Sequence, residues 1–200
     1  MAAWYRNESW SEEISADFER RLARSRHQKA QNLTLQGFHL IARHPMVARK
    51  LLQRAVTMED RFETQRALSF LAMANLALGK VDEALEAYEA ALGRQVADPS
   101  VMAVQPADYI FVVGFFQRSD RLEMAEPIAD ALTDDGIFGP DPQVHAAKSL
   151  VYKMAGRHED ARRQAEIALP LMETMPSVEA LGIDLGELRR RLVAISLRGN

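Results

Sequence analysis

The sequence predicts an all-α fold assembled from stacked helix–turn–helix units, and three observations predict it. First, a block recurs four times. It reads Arg43-x4-Ala48-x3-Leu52-x2-Ala55-Val56, then Gly79-x4-Ala84-x3-Tyr88-x2-Ala91-Leu92, then Ser119-x4-Met124-x3-Ile128-x2-Ala131-Leu132, then Gly156-x4-Ala161-x3-Ala165-x2-Ala168-Leu169. The steps between first positions are 36, 40 and 37 residues, and a fixed period in this range marks a stacked repeat. Second, apolar stretches of helical length precede the blocks, such as Ala67–Leu78 before Gly79 and Val144–Ala155 before Gly156. Third, the apolar segments carry the helical period and none shows the alternation of a half-buried strand.

The elements follow in order. Residues 1–10 hold Trp4, Tyr5 and Trp10, an aromatic segment expected to dock on the body. Ser11 is placed as an N-cap, with Glu12 and Glu13 in the first turn of a helix whose stripe is Ile14, Phe18 and Leu22. A second helix carries Leu33, Leu40 and Ile41. The repeats occupy 29–175, as 29–62, 65–98, 105–138 and 142–175, after an N-terminal segment and basic helix over 1–28. Pro99 and Pro106 mark a loop over Arg94–Ala107, and two Gly with two Pro mark another over Thr133–Pro142. Asp141-Pro142 reads as N-cap and N1 of the following helix. After a connector over 175–183, Asp184-x2-Glu187 reads as a capping pair that opens a last helix with Leu188, Leu192 and Ile195 on one face. Arg189, Arg190 and Arg191 are expected to point outward from it, so that 176–200 forms a polar cap.

The units around Gly79 and Gly156 resemble the tetratricopeptide repeat, a 34-residue helix–turn–helix unit. Ala72, Gly79, Ala84, Tyr88 and Ala91 carry the resemblance in one, and Tyr152, Gly156, Ala161 and Ala168 in the other. The Trp expected early in the first helix is absent from all four units. The resemblance implies a right-handed α-α solenoid of three to four units with flanking helices, whose first helices line a concave groove for a protein segment. Its groove residues carry over to Arg66, Ser69 and Met73 in the second unit, and to Tyr109, Val113, Phe116 and Gln117 in the third. In the fourth they are Gln143, Ala146, Leu150 and Lys153.

Composition limits the chemistry. There is no cysteine, which removes disulfides and thiolate chemistry together. The five histidines, His27, His39, His44, His145 and His158, fall in no metal-binding spacing. Asp134, Asp135, Gly136 and Asp141 resemble an acidic calcium loop but lack its terminal Glu. No Gly-rich phosphate loop and no nucleophile elbow occurs. No catalytic residue, metal or cofactor is therefore expected, and an enzyme is the least favoured class. No stretch reaches the roughly 18–20 apolar residues that span a bilayer, and the first residues lack a basic run leading into an apolar one, so a cytoplasmic location is expected.

Charge is uneven although the whole chain is only −3. Phe18–Arg54 holds nine Lys/Arg against one acid, whereas Ala67–Ala147 holds four against thirteen. Arg20, Arg21, Arg24, Arg26 and Lys29 thus form a candidate basic patch. The function expected is an interaction adaptor or scaffold for a peptide or protein segment, a chaperone for a secreted client being one specific form. The alternative is a binder of RNA or another polyanion through the basic helices, although a pI near 6 argues against general nucleic-acid binding. A homo-oligomer is compatible with the opposed charges, and the apolar groove wall is equally compatible with cover by the chain's own last helix.

Overall fold

The computed structural model describes residues 4–100, 106–136, 139–175 and 181–197, and among these it is helical almost throughout. Ten α-helices occur among the described residues: α1 (Glu12–Arg24), α2 (Lys29–Leu40), α3 (Pro45–Val56), α4 (Glu63–Ala77), α5 (Val81–Ala97), α6 (Pro106–Phe115), α7 (Leu122–Ala131), α8 (Pro142–Met154), α9 (His158–Leu171) and α10 (Leu185–Ser196). The one extended feature among the described residues is a two-residue antiparallel pairing, β1 (Asp135–Gly136) with β2 (Gly139–Pro140), inside the loop between α7 and α8. The expected boundaries at 105 and 138, and most of the connector over 175–183, lie outside the described residues.

The chain divides into two compact units, Met1–Val104 with Ala180–Gly182, and Gln105–Glu179 with Ile183–Asn200. The division falls in the proline-marked loop between the second and third sequence repeats. In the first unit α2 packs on α3 and on α4, α3 on α4, and α4 on α5. Its core gathers Phe18, Leu22, Leu33, Leu40, Leu51 and Leu52 with Ala48, Ala55, Ala67 and Ala74. Buried Asn75 pins three helices: Arg49 of α3 donates to its Oδ1 at 2.9 Å, and its Nδ2 donates to the Glu83 carbonyl of α5 at 3.1 Å. In the second unit α6 packs on α8 and α7, α8 on α9, and α10 on α9 and α8.

Helix starts follow the caps read from the sequence. Ser11 accepts from Ile14 N at 3.3 Å, Asp141 from Gln143 N at 2.8 Å, and Asp184 from Gly186 N at 2.7 Å. Each satisfies a backbone N–H that a helix start leaves unpaired. Glu187 does not complete a box at Asp184. It turns to Arg190 and Arg191 instead, at 2.8 and 2.7 Å.

Three helix ends share one turn. Lys80 N donates to the Asn75 carbonyl, Arg118 N to Val113 and Arg157 N to Tyr152, each at 2.9 Å and each spanning the same number of residues. This is the Schellman arrangement, which needs a left-handed residue just past the helix. Gly79 and Gly156 supply it at φ +70° and +77°. In the third unit the residue is Gln117, at φ +54°, not the Ser119 that the sequence alignment placed there. The shift relocates the buried face of α7. Ala125 and Ala129 are buried, while Met124 is 38% exposed and Ala131 is exposed. The other three blocks keep their register: Ala48, Ala84 and Ala161, and Ala55, Ala91 and Ala168, are all buried.

A left-handed conformation costs a residue with a Cβ roughly 1–2 kcal/mol. Gln117→Gly is therefore expected to stabilise the protein by up to about 1 kcal/mol, part of the strain relief being offset by the freer unfolded chain. Urea unfolding with an unchanged slope and a higher midpoint checks it. An unmoved or lower midpoint counts against strain at this turn.

Candidate functional site

The groove residues separate sharply by exposure. In the first unit, Ser69 is buried and donates to the Gln65 carbonyl at 3.2 Å. Arg66 is half-buried and paired with Glu63 at 2.5 Å, and Met73 is half-buried against the core. In the second unit, Tyr109, Val113, Ala146 and Leu150 are buried. The expectation that they line an open groove is corrected: they are core. The reason lies in α6, where every residue from Tyr109 to Phe115 is buried. A helix apolar all round is enclosed on all sides, so a stripe at i, i+4, i+7 marks no particular face. Gly114 shows how closely α8 covers it, since a Cβ there would stand 2.6 Å from the Leu150 Cβ.

Phe116, Gln143 and Lys153 stay half-buried and Gln117 is exposed. Gln143 donates to Asp108 at 2.5 Å, and burial pushes the Asp108 carboxyl above its ordinary range. A small cavity of about 110 Å³ is bounded by Gly114, Gln117, Leu150, Lys153, Met154 and Arg191. Arg191 is not an outward cap residue. Its guanidinium donates to the Phe115 carbonyl and lies 5.0 Å over the Phe115 ring, closing the end of α6. Arg189 and Arg190 are exposed.

In the first unit the aromatic surface lies elsewhere. Phe38 of α2 is 40% exposed, and its ring meets Phe70 of α4 at 4.5 Å between centroids. Neither residue belongs to the groove set carried over from the repeat. The repeat register gave no signal for the pair, since Phe38 and Phe70 do not occupy equivalent positions of their units.

The basic patch is offset in part from within. Asp17 pairs with Arg20 and, at 2.8 Å, with Arg21, and the Arg20 hydrogen bond holds its carboxyl below the ordinary range. Glu19 pairs with Arg54 at 2.5 Å and is lowered likewise by that hydrogen bond. Asp17 stands one residue before the stretch over which the charge was counted, and helical spacing places it beneath both arginines. Arg24, Arg26 and Lys29, around the α1–α2 turn, carry the rest of the patch.

A polar network absent from the sequence reading holds α7 to α8 and α9. Buried Lys148 donates to the Leu132 carbonyl at 2.6 Å and pairs with Asp134. Burial pushes the Asp134 carboxyl up, and the ammonium outweighs it, leaving it below its usual value. Tyr152 donates to Asp130 at 2.9 Å, and Arg157 donates to the same carboxylate at 2.8 Å while stacking 4.2 Å over the Tyr152 ring. Burial and Asp130 together raise the Tyr152 phenol, and the Arg157 hydrogen bond lowers Asp130. Lys148 and Tyr152 lie one turn apart on α8, but their partners Asp134, Asp130 and Arg157 stand outside that helix. The network fastens α7, α8 and the start of α9 to one another.

A carboxylate held below its unfolded value adds stability above that value and loses it as pH falls through the folded value. Asp130→Asn should therefore shrink the fall in melting temperature between pH 7 and pH 3, most of it below about pH 4. Melting curves of both proteins across that range check the sign, and parallel curves would remove Asp130 from the acid response.

No helix among the described residues is long and apolar enough to cross a membrane, and no group of three or more His, Asp or Glu among them is placed to hold a metal. No protein-family model, no curated protein and no solved structure matches this chain. The class the coordinates define is an all-α protein of packed helix–turn–helix pairs.

Proposed function

We propose that this chain is a tetratricopeptide-like interaction adaptor that holds a segment of another protein on the first helices of its repeats. The packing within each unit supports the reading: first helices lie against first helices, α2 on α4 and α6 on α8, and the Schellman turns repeat in three pairs. The observation that carries the binding role is the Phe38–Phe70 contact between two adjacent first helices, Phe38 exposed and Phe70 half-buried beside it, with half-buried Met73 one turn further along α4. Exposed aromatic anchors of this kind concentrate interface energy, each contributing about 2 kcal/mol or more when covered. The occupant is an amphipathic helix or an extended apolar segment.

Phe38→Ala with Phe70→Ala tests it. The double variant is expected to lose capture of the protein partner while its melting temperature falls less than on loss of a fully buried aromatic, because Phe38 is 40% exposed and Phe70 only partly buried against the core. Capture unchanged by the double variant would overturn the assignment. A polyanion reading rests on Arg24, Arg26 and Lys29, and predicts a strong salt dependence of any nucleic-acid shift.

A further inference from the structure

Residues 4–10 form no helix, yet a fully enclosed amide holds them. Gln36 lies on α2 between Leu33 and Leu40, and all three are 0% exposed. Its Oε1 accepts from Asn7 N and from Asn7 Nδ2, both at 3.1 Å, and its Nε2 donates to the Asn7 carbonyl at 2.8 Å. One side chain thereby reads both main-chain groups and the side chain of a single residue. Both lone pairs of the Gln oxygen are used. Asn7 Nδ2 also donates to the Trp4 carbonyl at 2.8 Å, closing a turn that sets the Trp4 ring 5.4 Å from Phe18. Trp10 approaches the same Phe18 ring at 5.6 Å. Trp4, Tyr5 and Trp10 are only half-buried against this core, and Glu8 lies 3.7 Å from Arg43.

We propose that the surface of α1 and α2 around Phe18 and Gln36 is a recognition site for turn-forming segments of the form Trp-x-x-Asn, and that residues 4–10 are its resident occupant. The chemistry selects Asn. An Asp in its place would turn a carboxylate oxygen toward the Gln36 Oε1 and the Trp4 carbonyl, where only acceptors face it. The Phe18 ring selects an aromatic three positions earlier. The site is distinct from the Phe38–Phe70 surface and does not depend on the adaptor reading. A partner carrying the same pattern would compete with the chain's own segment, whose tether gives it an effective concentration on the order of mM.

The test uses the full chain and a fluorescein-labelled peptide of residues 2–11. Asn7→Asp releases the resident segment, so by anisotropy this variant is expected to bind the peptide at least about tenfold more tightly than the parent chain does, the resident segment competing in the parent. The same peptide with Asp for Asn should bind the variant at least about tenfold more weakly, for want of the donor that Gln36 and Trp4 share. Adding Gln36→Leu should remove binding. Trp4→Ala, which leaves Gln36 untouched, is measured in parallel with the same expectation, so a poorly folded Asn7→Asp protein does not decide the matter. Equal binding of the two peptides, or none up to about 1 mM, overturns the proposal. A concentration-dependent dimer of the parent chain that Gln36→Leu abolishes would also overturn it, by assigning the occupant to a second copy.

Discussion

Ala84→Asp and Ala161→Asp are each expected to lower stability by about 3–5 kcal/mol, the scale of an uncompensated buried charge. Both alanines are closed off, at 0% and 1% exposure. Ala84 sits on α5, which packs along α4, and Ala161 on α9, which packs along α8. Each methyl is enclosed where the two helices pack. An aspartate there must either push the helices apart or bury a carboxylate away from water. For units of this size the loss corresponds to a fall in melting temperature of more than about 12 °C. Ala90→Asp on the exposed side of α5 is the control, and it should stay within about 0.5 kcal/mol. If Ala84→Asp melts with the parent, the face of α5 turned to α4 is not the one described here.

These two positions also show why much of the fold was legible. Small residues at fixed spacing are demanded by close helix packing, so Ala48, Ala84 and Ala161 kept their register from sequence to structure. The caps were legible for a similar reason: Ser11, Asp141 and Asp184 each act on backbone N–H groups two or three residues away, and local chemistry is written locally. The third unit misled because the turn residue is Gln117. A Gly there would have announced the left-handed turn, whereas a Gln in that conformation leaves no trace in composition. The Lys148–Asp134 pair and the Asp130–Tyr152–Arg157 cluster connect separate helices, so no single helical period reveals them. The basic run keeps a positive excess, although Asp17, one residue before it, is shared by Arg20 and Arg21. The docking of Trp4 and Trp10 was anticipated from their aromatic content. The Gln36–Asn7 contact that fixes it spans 29 residues, and nothing in either neighbourhood signals the other.

Tyr109→Ala with Phe116→Ala separates a core role from a binding role at the position where the sequence expected a groove. The rings recur on one side of α6, which suited a partner stripe. The structure encloses Tyr109 completely, under a helix whose Leu150 presses against Gly114, and leaves Phe116 half-buried with its ring 5.2 Å from Phe115. Removing a fully buried large aromatic costs about 3–5 kcal/mol through lost transfer energy and the cavity left behind. Phe116, half in solvent, should add about 1 kcal/mol. The double variant is therefore expected to melt far below the parent, with Tyr109→Ala alone accounting for most of the loss. Any defect in partner capture should track the unfolded fraction and disappear when capture is measured well below the melting transition. Phe38→Ala with Phe70→Ala should show the converse, a folded protein without its partner. A Tyr109→Ala protein that melts with the parent yet captures nothing would return the binding surface to α6 and remove it from α2 and α4.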